Sequence, residues 1–257
     1  MKDPIVIIGL GQIGCTFANG FLKAGHPVYP VTRDMDMAGE ARHAPEPALV
    51  VLAVAEADLH PALEAVPPAW RDRLALVQNE LLPRDWAAHD LEDPTVVSVW
   101  FEKKKGQDVK IVVPTPVHGP HAGLVNAAFD ALDIPNYRVD DADEMLYELV
   151  RKNAYILTAN IAGLVVGGTT SELWSQHESL AREVLADVLD IQDHLTGREN
   201  DRDKVIAGTV EAFFGDPAHK CMGRTAAARL ERALQIADEA GLEVKKLREI
   251  AAQARKG

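Results

Sequence analysis

An apolar run that ends in a glycine-spaced turn constrains this chain more than any other feature. Residues 4–8 read Pro4-Ile5-Val6-Ile7-Ile8 and lead directly into Gly9-Leu10-Gly11-Gln12-Ile13-Gly14. A helical pattern follows, Phe17-Ala18-Asn19-Gly20-Phe21-Leu22-Lys23-Ala24-Gly25. A second apolar run, Val28-Tyr29-Pro30-Val31, is then closed by Thr32-Arg33. Strand, glycine turn, helix and strand come in the order required of a βαβ unit that binds a dinucleotide. Gly9 permits the tight turn off the strand. Gly11, without a Cβ, lets the backbone approach a pyrophosphate, and Gly14 lets the helix pack hard against the strand. The free N–H groups at the helix start face the phosphate charge. Leu10, Gln12 and Ile13 complete the turn and belong to the same expected cofactor-binding set.

The end of the second strand selects the dinucleotide. An acid there accepts hydrogen bonds from a ribose 2′-hydroxyl and favours NAD, whereas an arginine meets the 2′-phosphate of NADP. Thr32 holds the position of the acid and Arg33 follows it, so NADP(H) is the expected cofactor. Asp34 is the competing feature, because it lies at about the spacing of an NAD-selecting acid.

With 257 residues, the chain is long enough for one large or two ordinary domains with real cores. It is 47% hydrophobic and 26% charged, which places it in the soluble globular class. No apolar stretch approaches the length of a membrane span. Residues 1–15 carry no basic segment with a cleavage site, so Ile5–Ile8 is expected to be a buried strand and not part of a signal peptide, and the location is expected to be cytoplasmic. Lys and Arg number 27 against 39 Asp and Glu, a formal charge of −12. An acidic surface repels nucleic acid and anionic membranes, and neither is an expected partner. It leaves room for an anionic substrate in a local cationic pocket. Cys15 and Cys221 are expected to be separate thiols in a reducing compartment.

Further along, 49–54 reads as a fully buried parallel strand and 58–65 as a helix stopped by Pro67-Pro68. Residues 74–77 form another strand ending at Gln78-Asn79. Residues 95–101 and 109–113 read as two strands joined by a charged turn over 102–108. After Val139 strand signals give way to amphipathic helices at about 144–166, 171–193, 201–214 and 219–240, with a short one near 243–255. Asp140-Asp141-Ala142-Asp143 supplies a junction and N-cap chemistry. The expected architecture is α/β, with a dinucleotide-binding Rossmann domain over 1–139 and an all-helical domain for substrate and dimerisation over 140–257.

The candidate chemistry falls on Asn79, Lys152 and Asn160. Asn79 follows the carboxyl end of a strand, the face at which open α/β sheets bind ligands. Lys152 stands among Leu149, Val150, Tyr155, Ile156 and Leu157, unusual company for a lysine. Positions 152, 156 and 160 share a slowly drifting helix face, and the eight residues span about 12 Å. Lys152 and Asn160 therefore line one groove without having to touch the same atom. Hydride transfer to a ketone builds negative charge on the carbonyl oxygen, which an ammonium stabilises and protonates. Amides such as Asn79 and Asn160 orient substrate and ammonium without adding charge. His118-Gly119-Pro120-His121 and His219-x-Cys221 fall short of the ligand count that a zinc site needs, and no metal is expected. Lys220 and Arg224 offer a cationic patch for a carboxylate or phosphate.

Several of these residues carry a family resemblance. Val77-Gln78-Asn79-Glu80-Leu81 resembles the QNG turn of the ketopantoate reductases. Arg151-Lys152 with Asn160-Ile161-Ala162-Gly163-Leu164 resembles that family's helix of catalytic lysine and downstream asparagine. Gly168-Thr169-Thr170-Ser171-Glu172-Leu173 is similar to the turn and helix start that follow, and 28–34 to the nucleotide-selecting segment. The opening 9–26 also resembles the β-hydroxyacid dehydrogenases, which share the two-domain plan and a catalytic lysine. The resemblance covers most of 1–195 and keeps its order. It implies a C-terminal domain like that of 6-phosphogluconate dehydrogenase, Lys152 as general acid, Asn79 and Asn160 as substrate or cofactor contacts, and NADPH as hydride donor.

The departures lie at specific residues. The family carries a glutamate for the substrate hydroxyl in its C-terminal domain. Here the comparable stretch, His219-Lys220-Cys221-Met222-Gly223-Arg224-Thr225, is shortened, and Glu231 is a poor match. Ile156 replaces another asparagine and Glu80 replaces a glycine. The expected function is reduction of a 2-keto acid or similar small ketone by NADPH, of the 2-dehydropantoate 2-reductase type, in the cleft between the two domains. The alternatives are an NADP(H)-binding sensor without catalysis and a β-hydroxyacid or imine dehydrogenase. A homodimer is expected from the apolar surface of the helical domain.

Overall fold

In the computed structural model, residues 2–254 are described. The chain divides into two compact units, Met1–Glu148 and Leu149–Gly257. The first opens with β1 (Ile5–Ile8), α1 (Gln12–Lys23), β2 (Val28–Val31), α2 (Met37–His43) and β3 (Leu49–Leu52). A 3-10 turn at Glu56–Asp58 leads to α3 (Leu59–Ala65), and a second at Pro68–Arg73 leads to β4 (Leu74–Leu76). Then come α4 (Pro83–Ala87), β5 (Thr95–Val97), β6 (Phe101–Glu102), β7 (Lys110–Ile111), β8 (Thr115–His118), α5 (Ala122–Asp130) and β9 (Asn136–Val139).

A seven-stranded sheet in the order β2-β1-β3-β4-β5-β8-β9 forms the centre of this unit. Pairing is parallel from β2 through β5, antiparallel between β5 and β8, and parallel again between β8 and β9. β1 and β3 are buried along their whole length, as strands covered on both faces must be. The chain leaves β1 for one neighbour, β2, and returns to the other, β3, so the crevice of the topological switch opens beside β1. The core joins Ile5, Ile7, Leu49 and Val51 of the sheet to Phe17, Phe21 and Phe129 of the helices. α1 and α5 approach closely enough that a Cβ on Gly20 would lie 2.6 Å from the Ala128 carbonyl oxygen.

The helix α6 (Ala142–Val166) runs through the boundary between the units. It is followed by α7 (Thr170–Gln176), α8 (Glu178–Thr196), α9 (Arg202–Gly215), α10 (Ala226–Ala240) and α11 (Lys245–Ala254). In the second unit the buried face of α8, with Ala181, Val184, Leu185 and Val188, meets α10 and α11, which contribute Leu230, Ala233, Leu247 and Ile250. Among the described residues no helix is long and apolar enough to cross a membrane.

Three of the expected elements take a different form. The run 95–101 is two strands: β5 ends at Val97, and Trp100 N–H donates to the Thr115 side chain instead of continuing the ladder. The helix expected over 171–193 is broken at His177, whose backbone leaves the helical region at φ −132° and ψ 34°. The helix expected from 219 starts at Ala226, because Lys220 forms an antiparallel bridge with Thr169 and Cys221 N–H donates to the Gly168 carbonyl. The 102–108 turn is as expected, closing the two-stranded β6–β7 hairpin.

Candidate functional site

The turn after β1 shows why glycine stands at its ends. Gly9 has φ +91°, and a Cβ there would lie 2.7 Å from the Ala53 carbonyl oxygen. A Cβ on Gly14 would come within 2.0 Å of the Gly9 carbonyl oxygen. α1 is thus pressed against the turn at the end of β1 and the chain leaving β3. Gly11 is different: nothing lies within 4 Å of where its Cβ would be. It is the N-cap of α1, has no side chain to cap with, and is followed by a first turn without an acid. The first N–H groups of α1 therefore remain open to an anion, and the helix dipole favours negative charge there. A pyrophosphate fits this turn. Leu10 and Gln12 are exposed beside it, and Ile13 packs on the core of the unit.

Thr32 and Arg33 are exposed at the carboxyl end of β2. Arg33 Nη2 donates to the Asp58 carboxylate at 3.2 Å, with the two side chains 87% and 50% exposed. Such an exposed pair is weak, and the guanidinium keeps further donors for a phosphate. Thr32 N–H donates to Met35 Sδ, which holds the tip of the 32–35 turn.

Asn79 follows β4 at the same edge of the sheet. Its Nδ2 donates to Glu56 Oε1 at 3.0 Å, which orients the amide and leaves its Oδ1 and one N–H for a ligand. Gln78 is buried and structural: its amide donates to the Leu52 carbonyl at 2.6 Å and accepts from Val77 N–H. Glu80 has φ +60°, in the left-handed region where a glycine costs least.

The second unit holds the other candidates on α6. Lys152 is 4% exposed and buried, as are its neighbours from Leu149 to Ala159. Arg151 turns to α9, donating to the Gly208 carbonyl at 2.9 Å and to Glu211 at 3.1 Å. Asn153 is tied to Gln192 of α8 at 3.1 Å. Asn160 is half-buried, and its Oδ1 accepts from Arg229 Nη1 of α10 at 3.0 Å. One turn further, Gly163 lies so close to the 221–222 backbone that a Cβ would meet Cys221 Cβ at 2.9 Å. The turn after α6 is closed by a capping box in which Thr169 and Glu172 satisfy each other's N–H groups.

Lys220, Arg224 and Glu231 are exposed. His219 Nδ1 faces the buried Asp216 carboxylate at 3.3 Å. Among the described residues no group of three or more His, Cys, Asp or Glu side chains is arranged to hold a metal ion. Burial pushes the Cys221 thiol up to about 11, while Cys15 is exposed in the first turn of α1.

Glu56, Asp58 and Arg229 are the partners that the sequence reading missed. Glu56 and Asp58 follow β3 just past its carboxyl end, the position that had singled out Asn79 after β4. Arg229 interrupts the apolar face of Ala226, Leu230, Ala233 and Ala237 on α10, and a charge on a buried stripe is a readable signal.

No protein-family model matches the chain, and no curated protein matches it by sequence. Solved structures do match. A 2-dehydropantoate 2-reductase from Methylococcus capsulatus superposes with TM-score 0.67 at 14% identity, over 98% of this chain and 96% of that one. D-mandelate dehydrogenase in complex with NADH gives 0.69 at 12% identity, over 98% of each chain. A dimeric ketopantoate reductase from Staphylococcus aureus gives 0.62 at 15% identity, also over 98% of each. The chain has the fold of the ketopantoate reductases and of D-mandelate dehydrogenase, an α/β unit followed by a helical one.

Proposed function

We propose that the protein is an oxidoreductase that uses NADPH to reduce a 2-keto acid or similar small ketone to the alcohol. The observation that carries this reading is the burial of Lys152 on α6, two turns before the half-buried amide of Asn160, in a chain with this fold. The uncapped start of α1 and the open side of Gly11 fit the pyrophosphate of a dinucleotide. Arg33 and Thr32 at the end of β2 favour the 2′-phosphate of NADP(H) over the 2′-hydroxyl of NAD(H). The NADH carried by D-mandelate dehydrogenase agrees with a nicotinamide dinucleotide and leaves that choice to Arg33 and Asp34.

When bound, the nicotinamide supplies the hydride that goes to the carbonyl carbon. The residues of the chain do the rest. The Lys152 ammonium stabilises the charge gathering on the carbonyl oxygen and gives it a proton, which it regains from solvent. Asn160 orients the substrate from the same helix face. Asn79 offers an acceptor oxygen, its amide being oriented by the bond from its NH2 group to Glu56. Association into a homodimer belongs to the same reading, as in the dimeric reductase from Staphylococcus aureus, and sedimentation tests it.

The test is NADPH oxidation with ketopantoate and a panel of other 2-keto acids, run beside Lys152→Ala. Loss of a general acid costs about 10²–10⁴-fold in kcat. Such a loss, with NADPH affinity unchanged, supports the reading. Tight NADPH binding without turnover on any member of the panel replaces the reductase with a cofactor-binding sensor.

A further inference from the structure

The hydrogen bond between Arg229 and Asn160 fixes more than a side-chain position. Arg229 is 8% exposed on the buried face of α10, and its Nη1 lies 3.0 Å from Asn160 Oδ1. A guanidinium has only donors. The Asn160 atom that faces it must be the oxygen. Turning the amide over would set N–H against N–H and leave a buried donor unmatched. The NH2 group of Asn160 therefore points away from Arg229, and it is the group left for a ligand.

We propose that Arg229 is a positioning residue that locks the Asn160 amide with its NH2 toward the substrate, so that Asn160 takes an acceptor oxygen of a carboxylate or keto group. This rests on the reading of α6 as the substrate-binding helix. Asn79 is oriented the other way, because the acceptor Glu56 takes an N–H of its NH2 group and so fixes which end of the amide is the oxygen. The ligand chemistry at Asn160 is that of a hydrogen-bond acceptor with no proton to give. Lys152, two turns away on the same helix, adds a preference for negative charge. Arg229 thus stabilises an α-keto carboxylate through another side chain and need not touch it.

The experiment uses the full chain, with and without NADP+, titrated with oxalate. Oxalate offers only acceptor oxygens at neutral pH. The side-chain NH2 resonances of Asn160, assigned by their loss in Asn160→Leu, report the contact, and calorimetry gives the affinity. Oxalate is expected to shift the Asn160 NH2 pair. Arg229→Gln, whose amide can present either end, is expected to weaken oxalate about tenfold or more, the size of one lost hydrogen bond to a charged group. Arg229→Lys keeps a donor-only cation and is expected to stay within about threefold. NADP+ affinity is expected to be the same in all of them, which separates loss of positioning from loss of fold. The proposal is overturned if wild-type protein does not bind oxalate, if saturating oxalate leaves the Asn160 resonances unmoved, or if Arg229→Gln binds as wild type does. Turnover is scored separately. Oxalate binding through Asn160 with no reduction of any 2-keto acid removes the reductase and keeps this assignment; turnover with unmoved Asn160 resonances does the reverse.

Discussion

Glu80 is a glutamate in a glycine conformation, and replacing it tests the local physics of the turn that carries Asn79. Its φ is +60°. The left-handed region costs an L residue about 1–2 kcal/mol. Glycine escapes that cost but loses about 0.5–1 kcal/mol more than alanine to chain entropy on folding. The difference leaves Glu80→Gly more stable than Glu80→Ala by roughly 0.5–1 kcal/mol. The comparison must be between these two variants, because both delete the contacts of the glutamate side chain and only one keeps a Cβ. Urea unfolding followed by tryptophan fluorescence suits the chain, since Trp70, Trp86 and Trp100 lie in the first unit and only Trp174 in the second. In a thermal scan the same difference is roughly 1–4 °C for a chain of this size. If alanine at position 80 equals or exceeds glycine, the backbone at this turn is not left-handed in solution. The correspondence of position 80 with a glycine in the resembling turn then loses its physical reason.

Other perturbations bear on the two units separately. Gly14→Ala places a Cβ 2.0 Å from the Gly9 carbonyl oxygen, so α1 must move off the turn. NADPH affinity by fluorescence titration is expected to fall at least about tenfold, and unchanged affinity refutes the placement of the pyrophosphate at this turn. Arg33→Ala is expected to raise KM for NADPH about 10–100-fold and to leave KM for NADH within about threefold, as loss of one charge-assisted phosphate contact requires; equal effects on both cofactors contradict the selecting role. Thiol reagents at neutral pH are expected to modify Cys15 fast and Cys221 only on unfolding, since Cys15 is exposed and Cys221 buried. Because the folded thiol of Cys221 is raised from 9.0 to about 11, its contribution to stability is full below pH 9 and is lost as pH climbs from 9 to about 11. Cys221→Ala is expected to flatten that alkaline limb of the stability profile.

The parts of the fold that were legible in the sequence are those whose cause is local. β1, β3 and β4 are short apolar runs, and β1 ends in glycines that neighbouring backbone makes necessary. Edge and junction elements were not legible. β9, Asn136-Tyr137-Arg138-Val139, is largely polar because it borders the sheet, and Pro116 interrupts the β-branched pattern of β8. The 219–225 stretch has a helical texture, but its geometry is set by Gly168 and Thr169, about fifty residues away in the chain. The same separation hid half of the candidate site. Asn79 and Asn160 could be singled out by type and place, but their partners lie 23 and 69 residues away in sequence. Those partners fix which end of each amide is the oxygen.

Transfer of label from 4-deuterated NADPH tests the central claim most directly. The protein is incubated with NADPH deuterated at the transferred position and with each 2-keto acid of the panel, and the product is read by mass spectrometry. Deuterium at C2 of a 2-hydroxy acid, absent from the Lys152→Ala reaction on the same timescale, is the result expected of a hydride-transferring reductase with Lys152 as its acid. No labelled product from any member of the panel, in a protein that demonstrably binds NADPH, contradicts it.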